Sequence, residues 1–167
     1  MHLSSPYWYT IIRMPDNLRK TIKDKVQGTP ITPLTFGGIS RNLLMVDAIT
    51  FAEVFTLNRP YIFHGEYTAP ATENDYANAE NYLTSDGLAG FSISSNGWLM
   101  SLFSNTEENG FLKASAGIIR EKARKLVCIV SEDQKLVDIY KAIGYHVVAT
   151  TTDDISLMRE YHGDRFV

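Results

Sequence analysis

Residues 89–103, AGFSISSNGWLMSLF, contain two apolar-rich runs on either side of Asn96 and Gly97. Asn-Gly between two such runs is the strongest short-range signal for a β-hairpin, because a type I′ turn requires positive φ at both central residues. We therefore predict a strand at 89–94, a type I′ turn at Asn96–Gly97 and a second strand at 98–103.

A polar segment, SNTEENG at 104–110, separates the predicted hairpin from a helical pattern. Apolar side chains recur there every three or four residues, which is typical of one buried helix face. They are Leu112, Ala116, Ile119, Ala123 and Leu126. The run LVCIV at 126–130 is apolar throughout, as expected for a strand covered on both faces.

The next predicted element is a helix that begins after Ser131 and ends at Gly144. Ser131 and Gln134 have the spacing of a capping box, and glycine is the favoured residue just after a helix. The side chains predicted to point inward are Leu136, Val137, Tyr140 and Ile143. Two strands, near 146–150 and 155–161, complete the predicted second half.

The first half carries weaker signals. Pro15 precedes a predicted helix with Leu18, Ile22 and Val26 on one face. Residues 27–40 contain two prolines and three glycines and are predicted as a loop or crossover. The further predictions are an extended stretch at 7–14, a strand at 43–46, a helix at 48–57, an extended stretch at 61–67, a helix from Thr72 to about Leu83, and a turn at Asp86–Gly87.

The order of these elements predicts an α/β or α+β fold. Strand, loop, helix, strand, helix, strand favours right-handed crossovers and a mixed central sheet with helices on both faces. In this arrangement the antiparallel hairpin leads into a parallel strand pair. The 167 residues suffice for one domain, with residues 1–40 either part of it or an N-terminal extension.

Composition and charge disfavour several classes of protein. The net charge of −3 disfavours a nucleic-acid binder that neutralises phosphates. No apolar run is long enough to predict a membrane span, and the N-terminus lacks a signal-peptide pattern. The single cysteine, Cys128, is interpreted as a buried small hydrophobe, and a cytoplasmic location is expected. The four histidines show no metal-ligand spacing, so no metal is predicted.

Two stretches resemble the second half of the GNAT superfamily of acyl-CoA-dependent N-acetyltransferases. The first is GFSI at 90–93 with NGWLMSLFS at 96–104, and the second is LVDIYKAIGY at 136–145. The likeness covers roughly the last 80 residues. Divergent domains of this appearance occur in phage-encoded proteins. The resemblance implies a GNAT-like fold in which the strands at 98–103 and 126–130 splay apart to hold the pantetheine of acetyl-CoA.

The resemblance also implies site residues. The loop after the first of these strands and the start of the following helix would hold the pyrophosphate of acetyl-CoA through backbone amides. The residues implied in cofactor binding are Leu102, Phe103, Ser104, Asn109, Gly110, Phe111, Leu112 and Lys113. Tyr140 is the implied catalytic acid, which would protonate the departing thiolate. Glu53, His64 and Glu66 all remain candidates for the general base.

The loop departs from the family pattern, because it has one glycine, Gly110, and two acids, Glu107 and Glu108. Two hypotheses follow. The first is transfer of an acetyl group from acetyl-CoA to an amine of unknown acceptor. The second is a catalytically inactive GNAT-like protein that binds a protein partner, in a phage structural or host-interaction role. The basic run at Arg120, Lys122, Arg124 and Lys125 is either a solvated helix face or a contact for the adenosine phosphate or a partner.

Overall fold

The computed structural model of the protein describes residues 13–62, 72–127 and 135–148. Five α-helices and five β-strands lie in these ranges, together with a 3-10 turn at Arg59–Tyr61. The helices are α1 (Asp16–Lys25), α2 (Ala48–Asn58), α3 (Glu73–Tyr76), α4 (Phe111–Lys122) and α5 (Lys135–Ile143). The strands are β1 (Thr29–Phe36), β2 (Ile39–Val46), β3 (Ala79–Thr84), β4 (Ala89–Ser94) and β5 (Leu99–Ser104).

The fold is mixed α+β, and its strands form one sheet in the order β1-β2-β3-β4-β5 in which every neighbouring pair is antiparallel. The predicted hairpin is present as β4 and β5. The predicted parallel strand pair is not found among the described residues, where the parallel contact is a single bridge between Trp98 and Lys125. Residues 128–130 of the predicted partner strand lie outside the described residues.

Helices cover both faces of this sheet, as predicted. One face, with α1, α2 and α3, carries what we call the α2 core, and the other face, with α4 and α5, carries the α4 core. Neighbouring residues of a strand point to opposite faces, so Tyr82 enters the α4 core and Leu83 the α2 core. The central strands are therefore buried on both sides.

The turn of the hairpin differs from the predicted type I′ turn. Gly97 has a φ of 88°, whereas Ser101 is the one non-glycine residue with positive φ in the described ranges, so Asn96 does not adopt the required conformation. The Gly97 amide donates to the Ser94 carbonyl (2.9 Å), and the Ser94 amide donates to the Trp98 carbonyl (2.9 Å). This pattern is a turn closed by a left-handed glycine, the next most common hairpin connection.

Two predictions in the first half are wrong. Residues 29–36 form β1 rather than a loop, and its prolines, Pro30 and Pro33, are tolerated because β1 is the edge strand. The helix predicted from Thr72 ends after one turn at Tyr76, although its capping box with Asp75 is present. Residues 79–84 instead form β3, which is buried between β2 and β4.

The other helices are found where they were predicted, with small shifts, while Ser131 and Gln134 of the predicted capping box lie outside the described residues. α1 buries Ile22, and α2 runs from Ala48 to Asn58. The buried face of α4 contains Phe111, Ser115 and Ile119, one residue away from the predicted Leu112 and Ala116 at its first turns. After α5, Gly144 has a φ of 123°, as predicted for the residue that ends this helix.

Residues 146–148 carry no regular secondary structure, so a strand is not found over that part of the predicted range 146–150. The predicted strand at 155–161 and residues 7–12 of the predicted N-terminal strand lie outside the described residues. Within the described ranges, no helix has the length and apolar character needed to cross a membrane.

Candidate functional site

The loop between β5 and α4, residues 105–110, is held by side chains from distant parts of the chain. The Asn105 amide group donates to both the backbone carbonyl and the side-chain oxygen of Asn58, each at 3.0 Å. Asn58 is fully buried at the end of α2 and donates to the Gly87 carbonyl at 2.9 Å. The Asn105 backbone amide donates to the Leu88 carbonyl at 2.7 Å. The start of the loop is thus fixed against α2 and the β3–β4 turn.

Gly110 ends this loop in a left-handed conformation, with φ 111° and ψ 7°, and immediately precedes α4. Its carbonyl accepts the first helical hydrogen bond, from the Ala114 amide at 2.9 Å. The amides of the first turn of α4 have no intrahelical acceptor, as at any helix start, and Gly110 has no side chain to cap them. Such a helix start favours an anion.

The acidic side chains of the loop are in different environments. The Glu107 side chain is 67% exposed and lies 3.9 Å from the exposed guanidinium of Arg13. Glu108 is half-buried and forms a very short ion pair with Nη2 of Arg41. This hydrogen bond from Arg41 holds the pKa of the Glu108 carboxyl below its usual value of 4.5. Only one of the two acids therefore stands in solvent near the start of α4.

Arg41 lies on β2 and pairs with two acids. Its Nε donates to Asp86 Oδ2 at 2.7 Å, and its guanidinium lies 4.8 Å from the centre of the Phe36 ring. The side chain is only 10% exposed. Burial lowers the pKa of Arg41, but the hydrogen bonds to Glu108 and Asp86 outweigh it and raise this pKa above its usual value. The guanidinium therefore stays charged.

The predicted cofactor-binding residues fall into three groups by their exposure to solvent. Ser104, Asn109 and Lys113 are exposed, and Leu102, Gly110 and Leu112 are half-buried. Phe103 and Phe111 are each 3% exposed and belong to different cores. The Phe103 ring packs 5.4 Å from that of Phe55, and the Phe111 ring lies 5.9 Å from that of Phe36. The two phenylalanine rings therefore contribute to packing, while the polar residues of this set face solvent.

Tyr140 lies on α5 in the α4 core and is 6% exposed. Its ring is 6.0 Å from that of Tyr145, at an interplanar angle of 89°. The Tyr145 hydroxyl donates to the carbonyl of Ala123 at 2.6 Å, which joins the end of α5 to the C-terminal end of α4. Gly110 lies at the other end of α4, about 18 Å away for a helix of 12 residues. The catalytic role of Tyr140 stays a prediction.

The basic run also lies at the C-terminal end of α4, beside the β4–β5 turn. The backbone amide of Arg124 donates to the Gly97 carbonyl at 2.8 Å, and Lys125 Nζ lies 5.1 Å from the centre of the Trp98 ring. Lys122 forms a salt bridge with Glu80 at 2.9 Å. These cations and the N-terminus of α4 are therefore at opposite ends of the helix.

A strained serine lies in the middle of β5. The register changes between Gly90 and Ser92 of β4, where β5 contains one extra residue. Leu99 and Phe103 consequently face opposite cores although they are four residues apart. Ser101, within this bulge, has a φ of 52° and shares a hydrogen bond of 2.8 Å with the buried Tyr76 hydroxyl.

Of the candidate bases, Glu53 is the one within the described ranges. It is exposed on α2, 3.8 Å from Lys25, and lines an open groove of about 490 Å³ between α2 and α3. His64 and Glu66 lie outside the described residues, as does Cys128. No group of three or more histidine, cysteine, aspartate or glutamate side chains within the described ranges is arranged to hold a metal ion.

The ion pairs of Arg41 and the bulge at Ser101 are not among the features that the sequence predicts. Arg41 does stand out as the one charged residue of β2, which is a signal for a buried ion pair. Nothing in the local sequence indicates that its partners are Asp86 and Glu108, since these lie 45 and 67 residues away.

Comparisons with protein-family models, with curated proteins and with solved structures find no match to this chain. The family resemblance therefore depends on the residues that suggested it, and the function is proposed from the geometry of the loop and helix.

Proposed function

We propose that the protein is a divergent GNAT-like N-acetyltransferase that binds acetyl-CoA at the start of α4 and transfers its acetyl group to an amine. The observation that carries this proposal is the left-handed Gly110 directly before α4, with no side-chain cap on the helix. Pairing of Glu108 with Arg41 supports it, since one of the two acidic side chains of the loop is bound to a guanidinium.

The proposed binding mode uses the exposed polar part of the predicted site. Backbone amides at residues 111–113 would donate to the pyrophosphate, and Lys113, which is exposed in the first turn of α4, would pair with a phosphate oxygen. The pantetheine would lie along β5, on the side of the bridge from Trp98 to Lys125. A splayed parallel strand pair beside β5 is part of this proposal.

In this proposal the protein supplies positioning of the reactants and two proton transfers. Positioning of the two reactants would supply most of the rate enhancement. The attacking amine must lose a proton, which a carboxylate or a water chain would accept, and Tyr140 would give its phenolic proton to the departing thiolate. Tyr140→Phe should then lower the rate of transfer without weakening the binding of acetyl-CoA.

A second candidate is a GNAT-like protein without catalysis that binds a protein partner. The burial of Tyr140 and its ring contact with Tyr145 favour this candidate, because a packed tyrosine needs no catalytic role. The exposed carboxylate of Glu107 beside the start of α4 favours it too. Fold alone does not separate the two candidates.

Binding of acetyl-CoA tests the proposal. A ligand that binds only the folded protein stabilises it by about 2.7 kcal/mol at a concentration one hundred times Kd. We expect acetyl-CoA and CoA to raise the thermal midpoint, with binding heat in calorimetry, and Lys113→Gln to weaken the binding. Absence of both the shift and the heat at millimolar ligand would contradict the proposal and favour the non-catalytic candidate.

A further inference from the structure

The two acids that pair with Arg41 are held in different ways. Asp86 Oδ1 also accepts hydrogen bonds from the Thr84 hydroxyl at 2.7 Å and from the Leu88 amide at 3.1 Å. Asp86 is therefore fixed by its own turn. Arg41 provides the ion pair of Glu108. Loss of the guanidinium would consequently release Glu108 much more than Asp86.

The position of Glu108 also depends on the β1–β2 turn. Gly37, with φ 59°, lies so close to Glu108 that a Cβ atom built on it would be 2.4 Å from the Glu108 Cβ and 2.6 Å from its Cγ. The neighbouring Gly38, with φ 78°, has no atom within 4 Å of such a Cβ. The glycine at position 37 thus allows the loop to approach the turn, and the carboxylate then reaches β2.

This arrangement changes the charge at the start of α4. Arg41, Asp86 and Glu108 together carry a net charge of −1, and without the arginine they would carry −2. Like charges a few ångströms apart repel each other, and the repulsion grows as water is excluded from between them. A phosphate group near Gly110 would therefore be repelled by a released Glu108.

We propose that Arg41 is a positioning residue, which binds Glu108 and so keeps its charge from opposing an anion at the start of α4. This inference rests on the proposed function, since the anion is the pyrophosphate of CoA. Arg41 does not contact the anion. It acts through Glu108, and its contribution is electrostatic rather than a matter of packing.

Neutralisation of Arg41 and Glu108, one at a time and together, tests this inference. CoA affinity is measured by calorimetry for the wild-type protein, Arg41→Gln, Glu108→Gln and the double variant. We expect Arg41→Gln to weaken CoA binding about five- to tenfold, and the double variant to bind within about twofold of wild type, because its local net charge is again −1. Equal weakening in Arg41→Gln and the double variant would overturn the inference, and so would wild-type affinity in Arg41→Gln.

A second pair of variants tests the packing of Glu108 against Gly37 without changing any charge. Gly37→Ala and Gly38→Ala both place a side chain at positive φ, so both carry similar backbone strain. Only Gly37→Ala collides with Glu108. We expect hydrogen exchange of the amides at 105–110 to be faster in Gly37→Ala than in Gly38→Ala. Equal exchange in the two variants would show that the contact does not hold the loop.

The inference and the proposed function can fail separately. Hydrogen exchange of residues 105–110 requires no CoA, and we expect it to be accelerated in Arg41→Gln relative to wild type. If wild-type protein does not bind CoA, the proposed function fails and the positioning of an anion fails with it, while the exchange data still decide whether Arg41 holds the loop. If hydrogen exchange and CoA affinity are both unchanged in Arg41→Gln, the inference is overturned and the proposed function stands.

Discussion

Ser101 shows how a single residue is held in an unfavourable conformation. Its φ of 52° lies in the left-handed region, which costs a residue with a side chain about 1–2 kcal/mol. The residue is 5% exposed, and its hydroxyl is hydrogen-bonded to the fully buried Tyr76. Burial of the Tyr76 hydroxyl raises the pKa of that phenol well above its usual value, so it stays neutral. Packing on both faces of β5 maintains the strained residue.

Two substitutions separate the strain at Ser101 from its hydrogen bond. Ser101→Ala removes the partner of the buried Tyr76 hydroxyl and should destabilise the protein by about 1–3 kcal/mol. Ser101→Gly removes the same hydroxyl but tolerates positive φ, so we expect it to be about 1 kcal/mol more stable than Ser101→Ala. Urea unfolding of both variants measures the difference. Equal stabilities would indicate that position 101 carries no backbone strain.

At the scale of elements, the β3–β4 turn joins the sheet to the helices of the α2 core. Gly87 has a φ of 73°, and a Cβ atom there would lie 2.5 Å from Ile22 Cγ2 and 2.8 Å from Val26 Cγ2. Its carbonyl accepts a hydrogen bond from Asn58 at the end of α2. The turn can therefore approach both α1 and α2 only with glycine at this position.

We expect Gly87→Ala to destabilise the protein by about 2–5 kcal/mol, because backbone strain and a collision with α1 add together. Gly38→Ala is the matched control, since it has a similar φ and open space around the added methyl group. The control should cost about 1 kcal/mol. Chemical denaturation measures both values, and a cost for Gly87→Ala no larger than that of the control would contradict the close approach of α1.

At the scale of the whole molecule, the ion pairs of Arg41 connect segments that are distant in the sequence. They join β2 to the β3–β4 turn and to the loop before α4. Pairs that are largely removed from solvent depend strongly on the charge of both partners. The stability of the molecule should therefore depend on the ionisation of Glu108.

The sign of this dependence follows from the lowered pKa of Glu108. A carboxyl group whose folded-state pKa is below its unfolded value of 4.5 stabilises the protein above pH 4.5. This stabilisation is lost as the pH falls below 4.5 through the folded-state pKa. We expect the difference in unfolding free energy between wild type and Glu108→Gln to be larger at pH 7 than at pH 3.

Urea unfolding at the two pH values measures this difference. Glu107→Gln is the matched control, because Glu107 is the neighbouring carboxylate, is largely exposed, and lies 3.9 Å from an equally exposed arginine. The difference in unfolding free energy between wild type and Glu107→Gln should change less between the two pH values than the difference for Glu108→Gln. A Glu108→Gln difference that is the same at pH 7 and pH 3 would contradict the role of the ion pair in stability.

Much of the fold could be predicted from the sequence, because its signals act between near neighbours. Asn96-Gly97 predicted the β4–β5 hairpin, and apolar spacing predicted α1, α2 and α4 to within a few residues. Gly144 was correctly predicted as the residue that ends α5. The polar loop and the glycine before α4 were also evident, since the loop separates two strongly patterned elements. The implied binding and catalytic roles stay predictions.

Local patterns in the sequence predicted the strongly periodic elements and the helices on both faces of the sheet. Residues 79–84 form a strand rather than the continuation of a capped helix because pairing with β2 and β4 outweighs a local preference. Long-range contacts likewise place the prolines of β1 at a sheet edge and bring Glu108 to Arg41. The physical reason is common to these cases: backbone pairing, burial and ion pairing depend on residues brought together from distant positions, which no local pattern records.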